Sequence, residues 1–488
     1  GNDGQFFDWS PHWKGHLDQS PGHQRGFREW LREAYGGSAA ALRAAWGDPA
    51  AGFDTAAVCA ETERILETPF LKLAGPQRRV ADSNRYASLA PVRLMKHFAR
   101  TLKQAIGRPV FSMCYYPDAV HDGGSNHYAL TELLSGPDRF DSATAVQEYG
   151  EYRQVGGTGG TNASWGAHRL RGSAQLCEID YRTFRSYAAG AWGMGDLGAP
   201  DTAEGFRAQI RRDIGATAAR GMGAWYYDMS GGWYDDPKLW SVVEESNRVL
   251  AWAHRPDVPG PAAEMAVFVD EEAGWRLSRD AFDLTFAYSN AQRIPLNLAG
   301  VPYDVYLLDD IRSPKLPEYR AYLFLTSYTL TREQAAAIQR RCRKPGKAVA
   351  FLGTPGQASS DFGDPAALVA ELTGIRCDWR PVGSKLACVP APGCADPIAE
   401  GLAGAFTHEA AARRPVLVPA DPEAVVFGTF AADGKPSHAL KRGPKGTGLF
   451  FAGGLTPRLV RNIAVEAGIR TLGTPGQVVS VGCGVATI

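Results

Sequence analysis

The chain has 488 residues, 52 basic and 52 acidic side chains, and 44% hydrophobic residues. That length provides for two or three domains with substantial cores. Zero net charge gives no footing for nucleic acid as a partner, and no apolar run is long enough to cross a bilayer, so no membrane partner is expected either.

In chain order, Gly1-Asn2-Asp3-Gly4-Gln5-Phe6-Phe7-Asp8-Trp9 reads as a loop leaving a strand inside a larger domain. Phe27, Trp30 and Leu31 share one helix face, stopped by Gly36-Gly37. A second amphipathic helix runs from Leu89 to Ile106 and ends at Gly107. Arg108 to Tyr116 reads as a buried strand, Phe140 to Val146 as another, and Ala174 to Glu178 as a third. Asp201-Thr202 caps a helix from about Ala203 to Arg220. Gly223 to Asp228 is the next strand and Pro237 to His254 the next helix. Strands alternating with helices, with polar residues at the strand ends, predict part of a (β/α) barrel.

Pro256-Asp257-Val258-Pro259-Gly260-Pro261 is a linker by composition. A new alternation follows, with strands at Met265 to Asp270, Tyr303 to Leu308, Ala321 to Thr326 and Lys347 to Gly353. Thr331-Arg332-Glu333-Gln334 opens a helix as a capping box. These spacings suit a doubly wound, flavodoxin-like sheet. Gly448 to Phe451 predicts a late strand, with a helix near 457–467, and the tail from Val478 to Ile488 alternates weakly. The eight cysteines are scattered without zinc spacing, so neither a metal nor another cofactor is expected.

The string Leu176-Cys177-Glu178-Ile179-Asp180-Tyr181-Arg182-Thr183 is the most informative stretch. A period of two puts Glu178, Asp180 and Arg182 on one face of a strand. At the carboxyl end of a barrel strand that face meets substrate. A carboxylate beside an arginine stays ionised at neutral pH, as a glycosidase nucleophile must. A purely structural carboxylate–arginine cluster is the alternative. His168, Arg169 and Arg171, just upstream, read as surface residues.

Four stretches resemble glycoside hydrolase family 42, the β-galactosidase-like barrels followed by a trimerisation domain. Phe27-x-x-Trp30-Leu31-x-x-x-Tyr35-Gly36, with Ala45-Trp46-Gly47, resembles the helix after the fourth barrel strand. Tyr149 with Arg153 and the Gly-rich 156–160 resembles the loop after strand six. Glu178-x-Asp180-x-Arg182-Thr183 resembles the nucleophile region of strand seven. Arg220-Gly221-x-Gly223-x-Trp225-x-x-Asp228, with Gly231-Gly232-Trp233-Tyr234, resembles strand eight and its loop.

The resemblance implies the C-terminal half of a (β/α)8 TIM barrel over 1–258, with the N-terminal half-barrel missing. A flavodoxin-like, class I glutaminase-like trimerisation domain over 262–470 and the start of a small β-domain over 471–488 follow. The implied activity is that of a retaining exo-glycosidase on β-linked, β-galactoside-like substrates, with Glu178 as nucleophile and Asp180 and Arg182 supporting it. Tyr116, Tyr149, Arg153, Trp225, Tyr227, Asp228 and Trp233 are the further substrate-binding candidates. The family's general acid/base position falls near residues 3–5, where Gln5 stands in place of the expected glutamate and Asp3 is the other candidate. Glutamine donates no catalytic proton. Gln5 is either a replaced glutamate or the mark of a subgroup with different chemistry, and it favours the alternative of an impaired barrel that binds carbohydrate or serves a structural role. A homo-oligomer, trimer or dimer, in the bacterial cytoplasm or periplasm is also implied. In the second domain the turns at Gly353-Thr354-Pro355-Gly356 and Ala452-Gly453-Gly454 contain no cysteine, which argues against a working amidotransferase.

Overall fold

A computed structural model describes residues 17–118, 127–186, 197–229, 231–406 and 412–488, the side chains of Phe282 and Asp283 excepted. The helix Pro21–Ala34 starts as its sequence requires: the Ser20 hydroxyl accepts from His23 N–H and Pro21 fills the first turn. Its apolar face packs Phe27 and Trp30 against Tyr86 of a 31-residue helix, Pro76–Ile106. Asp82 of that helix is buried and accepts from Tyr35 Oη (2.6 Å), Trp46 Nε1 (2.9 Å) and Arg78 Nε (2.9 Å). Tyr35 and Trp46, which carry the family resemblance, therefore meet at one carboxylate. The long helix ends at Gly107, whose φ of 67° is the left-handed conformation of a helix stop. From Leu94 onward it exposes Leu94, Phe98, Leu102 and Ile106, one apolar stripe at a spacing of four.

Four parallel strands follow: β1 (Met113–Tyr115), β2 (Ser142–Val146), β3 (Ala174–Ile179) and β4 (Gly223–Tyr226). Among the described residues they pair in chain order, with β1 and β4 at the two edges. The connections are helical: Trp165–Leu170 between β2 and β3, and Ala203–Ala219 between β3 and β4. The latter is capped by Thr202, as its sequence predicts. Helix Pro237–Ala253 follows β4. Phe111 and Met113 are exposed beside the β1 edge.

The second sheet contains β5 (Met265–Val269), β6 (Tyr303–Leu307), β7 (Ala321–Phe324) and β8 (Ala348–Leu352). Further on come β9 (Cys377–Arg380), β10 (Cys388–Pro390), β11 (Val416–Pro419), β12 (Val425–Phe430), β13 (Pro436–Gly443) and β14 (Gly446–Phe451). Its eight strands run β10-β12-β13-β14-β8-β7-β5-β6. The parallel part, β6-β5-β7-β8-β14, has the 2-1-3-4-5 order of a doubly wound sheet. β12, β13 and β14 add an antiparallel meander, and β9 pairs with β11 apart from it. Phe268, Phe324 and Phe351 stack across β5, β7 and β8 at centroid distances of 4.8 and 4.7 Å. The tail forms a hairpin, β15 (Ser480–Gly482) and β16 (Val485–Thr487). It lies on helix 203–219, where a Cβ on Gly215 would stand 2.7 Å from Thr487.

The two sheets are tied by helix Trp165–Leu170, which sits on β6. Gly166 permits the approach, since a Cβ there would lie 2.7 Å from the Val305 carbonyl oxygen and the Tyr306 ring. Buried Asp304 accepts from Trp165 Nε1 (3.0 Å), from Tyr319 Oη (2.7 Å) and from Arg169. Arg171 pairs with Asp310 at 2.7 Å. The reading of His168, Arg169 and Arg171 as surface residues is thus corrected: His168 is buried, and both arginines pair with carboxylates of the second sheet. All eight cysteines are free thiols, and six of them are buried. Among the described residues no helix is long and apolar enough to cross a membrane.

Asp270 and Glu271, just past β5, are buried, and burial is the main cause that raises their carboxyls, to about 6 and about 7. A carboxyl that is protonated more readily in the folded chain favours folding below its unfolded value. The advantage is lost as pH rises through the folded value. These two groups therefore make the chain less stable as pH climbs from the ordinary carboxylate range toward 7. Glu271→Gln is expected to flatten the decline in urea midpoint between about pH 5 and about pH 8. Equal slopes in variant and parent would contradict this account.

Candidate active site

β3 delivers Glu178 one residue before its end, in register with Val146 of β2 and Trp225 of β4. Alternate strand residues share a face, so Thr144, Leu176, Glu178 and Trp225 lie on one side of the sheet. Glu178 is only 5% exposed. Trp225 reaches across this face, its Nε1 donating to Thr144 Oγ1 at 2.8 Å, two strands away. Tyr227, just beyond β4, meets the Trp225 ring edge-on at 5.6 Å. Both rings are half-buried and remain reachable.

The chain leaves β3 through a dense polar cluster. Asp180 accepts from Tyr149 Oη and Arg182 Nη1, each at 2.8 Å, and pairs with Arg153 Nη2 at 2.6 Å. The two arginines are 1% and 2% exposed. Arg153 also donates to the carbonyls of Gln147 (2.8 Å) and Glu148 (3.1 Å), and its guanidinium lies 4.3 Å from the rings of both Tyr149 and Tyr181. Arg182 lies over Trp233 at 4.7 Å. The Trp233 N–H donates to Asp228 at 3.0 Å. Tyr234 Oη donates to the carbonyls of Ile179 and Tyr181 at 3.1 Å each, closing the loop after β4 onto the end of β3.

Burial, and then the adjacent Asp180 charge, push the Tyr149 hydroxyl well above its ordinary value, with Glu178 adding to the effect. Burial opposes the Arg153 charge, but Asp180 beside it holds the guanidinium above its ordinary value. Tyr149 is therefore a neutral donor and Arg153 a permanent cation.

Asp180, Arg182, Tyr149, Arg153, Asp228 and Trp233 are thus brought together at the carboxyl ends of β2, β3 and β4. Trp233 is 1% exposed and packed under Arg182, so it offers no open stacking platform. Tyr116 lies elsewhere. It is fully buried, accepts from Ala129 N–H at 2.8 Å and meets His127 edge-on. Asp3 and Gln5 lie outside the described residues. Asp213 and Gln209 have no counterpart among the sequence candidates. Asp213 pairs with Arg212 at 2.7 Å and accepts from Tyr181, and Gln209 donates to the Arg153 and Gly198 carbonyls at 2.8 Å. In the sequence Arg212-Asp213 resembles any exposed charge pair on a helix. In the second sheet Cys388 and His438 are neighbours but fully buried, and the imidazole is occupied by Ser437 and the Gly454 carbonyl. That pair belongs to the core. Among the described residues no group of His, Cys, Asp or Glu is arranged to hold a metal ion.

No family model and no curated protein matches the sequence. Solved structures do match the fold. A catalytic mutant of Gan42B, a GH42 β-galactosidase from G. stearothermophilus, is 13% identical with a TM-score of 0.61, over 94% of this chain and 67% of that one. A β-galactosidase from Bacillus circulans sp. alkalophilus gives 13% and 0.59 over 97% and 71%. One from the psychrophilic Marinomonas ef1 gives 14% and 0.58 over 93% and 69%. The chain has a mixed α/β fold similar to that of GH42 β-galactosidases and spans about two thirds of their length.

Asp180→Asn keeps the shape of the cluster and removes the carboxylate that pairs with two buried guanidinium groups. A loss of about 3–5 kcal/mol of stability is expected from urea unfolding. Tyr149→Phe, which deletes one hydrogen bond, is expected to cost about 0.5–1.5 kcal/mol. Equal effects of the two would show that the charge at Asp180 is not what holds the strand end.

Proposed function

We propose that this chain is the C-terminal half of a retaining β-glycosidase barrel, β-galactosidase-like, followed by a flavodoxin-like domain. Residues 1–258 form the half-barrel, 262–470 the second domain and 471–488 its small β-extension. The observation that carries the reading is Glu178 at the carboxyl end of a parallel strand, on the face it shares with Trp225. The similarity of fold to GH42 β-galactosidases supports it. In this reading Glu178 attacks the anomeric carbon of a β-linked sugar while the leaving oxygen takes a proton from the acid position. Water then releases the covalent glycosyl-enzyme. Asp180, paired with Arg153 and Arg182, anchors the chain two residues beyond Glu178. Trp225 and Tyr227 stack on the sugar ring, and Asp228 orients the loop beside it. No cofactor is called for.

The acid position falls on Gln5 or Asp3. Gln5 favours a second reading, a barrel that keeps its sugar site and has lost protonation. The two are separated with β-galactosides of differing leaving group. Glu178→Gln is expected to remove roughly a thousandfold of activity on an activated aryl β-galactoside, about 4 kcal/mol of transition-state stabilisation. Gln5→Glu is expected to raise activity on poor leaving groups roughly a hundredfold, with little change on activated ones. Wild-type turnover in Glu178→Gln would remove the nucleophile assignment. Sugar binding without turnover on any substrate would favour the second reading.

In this reading the edges left by β1 and β4 among the described residues are covered by further strands that complete the barrel. The stripe of Leu94, Phe98, Leu102 and Ile106, with Phe111 and Met113, is the apolar surface they cover. The domain over 262–470 joins copies into a trimer or dimer. Light scattering of this chain alone is expected to show larger aggregates as well as that oligomer, with the aggregates diminished in Phe98→Lys/Leu102→Lys and the oligomer retained. A strict monomer in both would refute the assembly.

A further inference from the structure

Strand β2, Ser142-Ala143-Thr144-Ala145-Val146, is made of small and β-branched residues, all of them buried. Ala143 and Ala145 face one side, and Ser142, Thr144 and Val146 share the side of Glu178. Thr144 is 2% exposed. Valine has nearly the same shape without the polar atom, so packing alone gives no reason for a hydroxyl here. A buried hydroxyl needs a partner, and this one meets the Trp225 indole, whose Nε1 donates to Thr144 Oγ1 at 2.8 Å.

That hydrogen bond spans β3. Trp225 of β4 stands in register with Glu178, and Thr144 of β2 stands in register with Leu176. The indole therefore reaches diagonally across the strand that carries Glu178, from the level of Glu178 to the level of Leu176. Gly223, level with Leu176 on β4, leaves room for the Leu176 side chain, since a Cβ there would stand 2.4 Å from Leu176 Cδ2. Tyr227 meets the Trp225 ring edge-on at 5.6 Å. An untethered side chain at a strand end has several staggered orientations open to it, and one held at Nε1 and along an edge keeps a single one. The indole has no other donor, so with its N–H given to Thr144 the residue offers a ligand only its ring. A ring suits the C–H face of a sugar and not a hydroxyl group.

We propose that Thr144 is a positioning residue for sugar binding: it fixes the Trp225 ring beside Glu178, so that a pyranose is taken up by its C–H face. This role rests on the reading of Trp225 as a stacking residue for sugar.

Calorimetric titration of the full chain with D-galactose tests it. Thr144→Val keeps the shape, removes the acceptor and is expected to weaken binding about tenfold, whereas Thr144→Ser, which keeps the hydroxyl, is expected to stay within about threefold of the parent. Trp225→Phe keeps a ring, removes the N–H and is expected to weaken binding about tenfold. Adding Thr144→Val to Trp225→Phe is then expected to change binding by less than about twofold, because Thr144 has no indole left to hold. A purely structural Thr144 would show the same factor in both backgrounds. Three results would overturn the role of Thr144 and leave Trp225 as the stacking residue: binding weakened in Trp225→Ala yet unchanged in Thr144→Val, Thr144→Ser as weak as Thr144→Val, or factors that multiply in the double variant. Binding unchanged in Trp225→Ala, or no saturable binding by the parent up to about 100 mM, would overturn the stacking reading and the role of Thr144 with it.

Discussion

A carboxylate buried where two elements meet has to find its donors there, because desolvation would otherwise cost it its charge. Three such carboxylates place the larger parts of this chain. Asp82 gathers Tyr35, Trp46 and Arg78 and fixes the N-terminal helices on the long helix. Asp304 gathers Trp165, Arg169 and Tyr319 and fixes the first sheet on the second. Asp180 gathers Tyr149, Arg153 and Arg182 and fixes the loops around the end of β3. Each draws donors from more than one element, so none can form before those elements have docked.

The same requirement gives the end of β3 its geometry. Two arginines and one aspartate under a lid of Trp233 and Tyr234 leave the backbone after Ile179 little freedom. Glu178, two residues before Asp180, is held in place by that anchor. The neighbouring rings of Trp225 and Tyr227 are half-buried beside it. Rigidity and partial exposure are thus divided between side chains on adjacent strands.

The parallel strands were legible because they are buried on both faces and read as short apolar runs, such as Met265–Val269 and Ala348–Leu352. Helix 203–219 was legible from Thr202 at its start. The first half of helix 76–106 was not. Asp82, Ser83 and Asn84 are polar yet buried there, so hydrophobic periodicity began only at Leu89. Most of the antiparallel meander was missed as well: Val425–Phe430 contains Gly428 and an irregular register with β13, which breaks simple alternation. At the site, Glu178, Asp180 and Arg182 were visible because they are close in sequence. Asp304 and Asp213 were invisible because Trp165, Arg169 and Tyr181, their donors, belong to distant segments. Tyr116 followed the strand pattern, but a pattern does not say which face of a strand end meets a neighbouring sheet.

The free thiols have a consequence for how the molecule opens. Cys59 lies by the N-terminal helices, Cys177 in β3, Cys342 and Cys388 in the second unit, and Cys483 in the tail hairpin, all of them buried. Burial raises the thiols of Cys59, Cys177, Cys342 and Cys483 above their ordinary value, so each of these is doubly protected, by inaccessibility and by the scarcity of thiolate. Alkylation at any one of them waits for its own region to open. The chain thereby carries internal reporters of local unfolding, and the order in which they react ranks its parts by the frequency of their excursions from the native state.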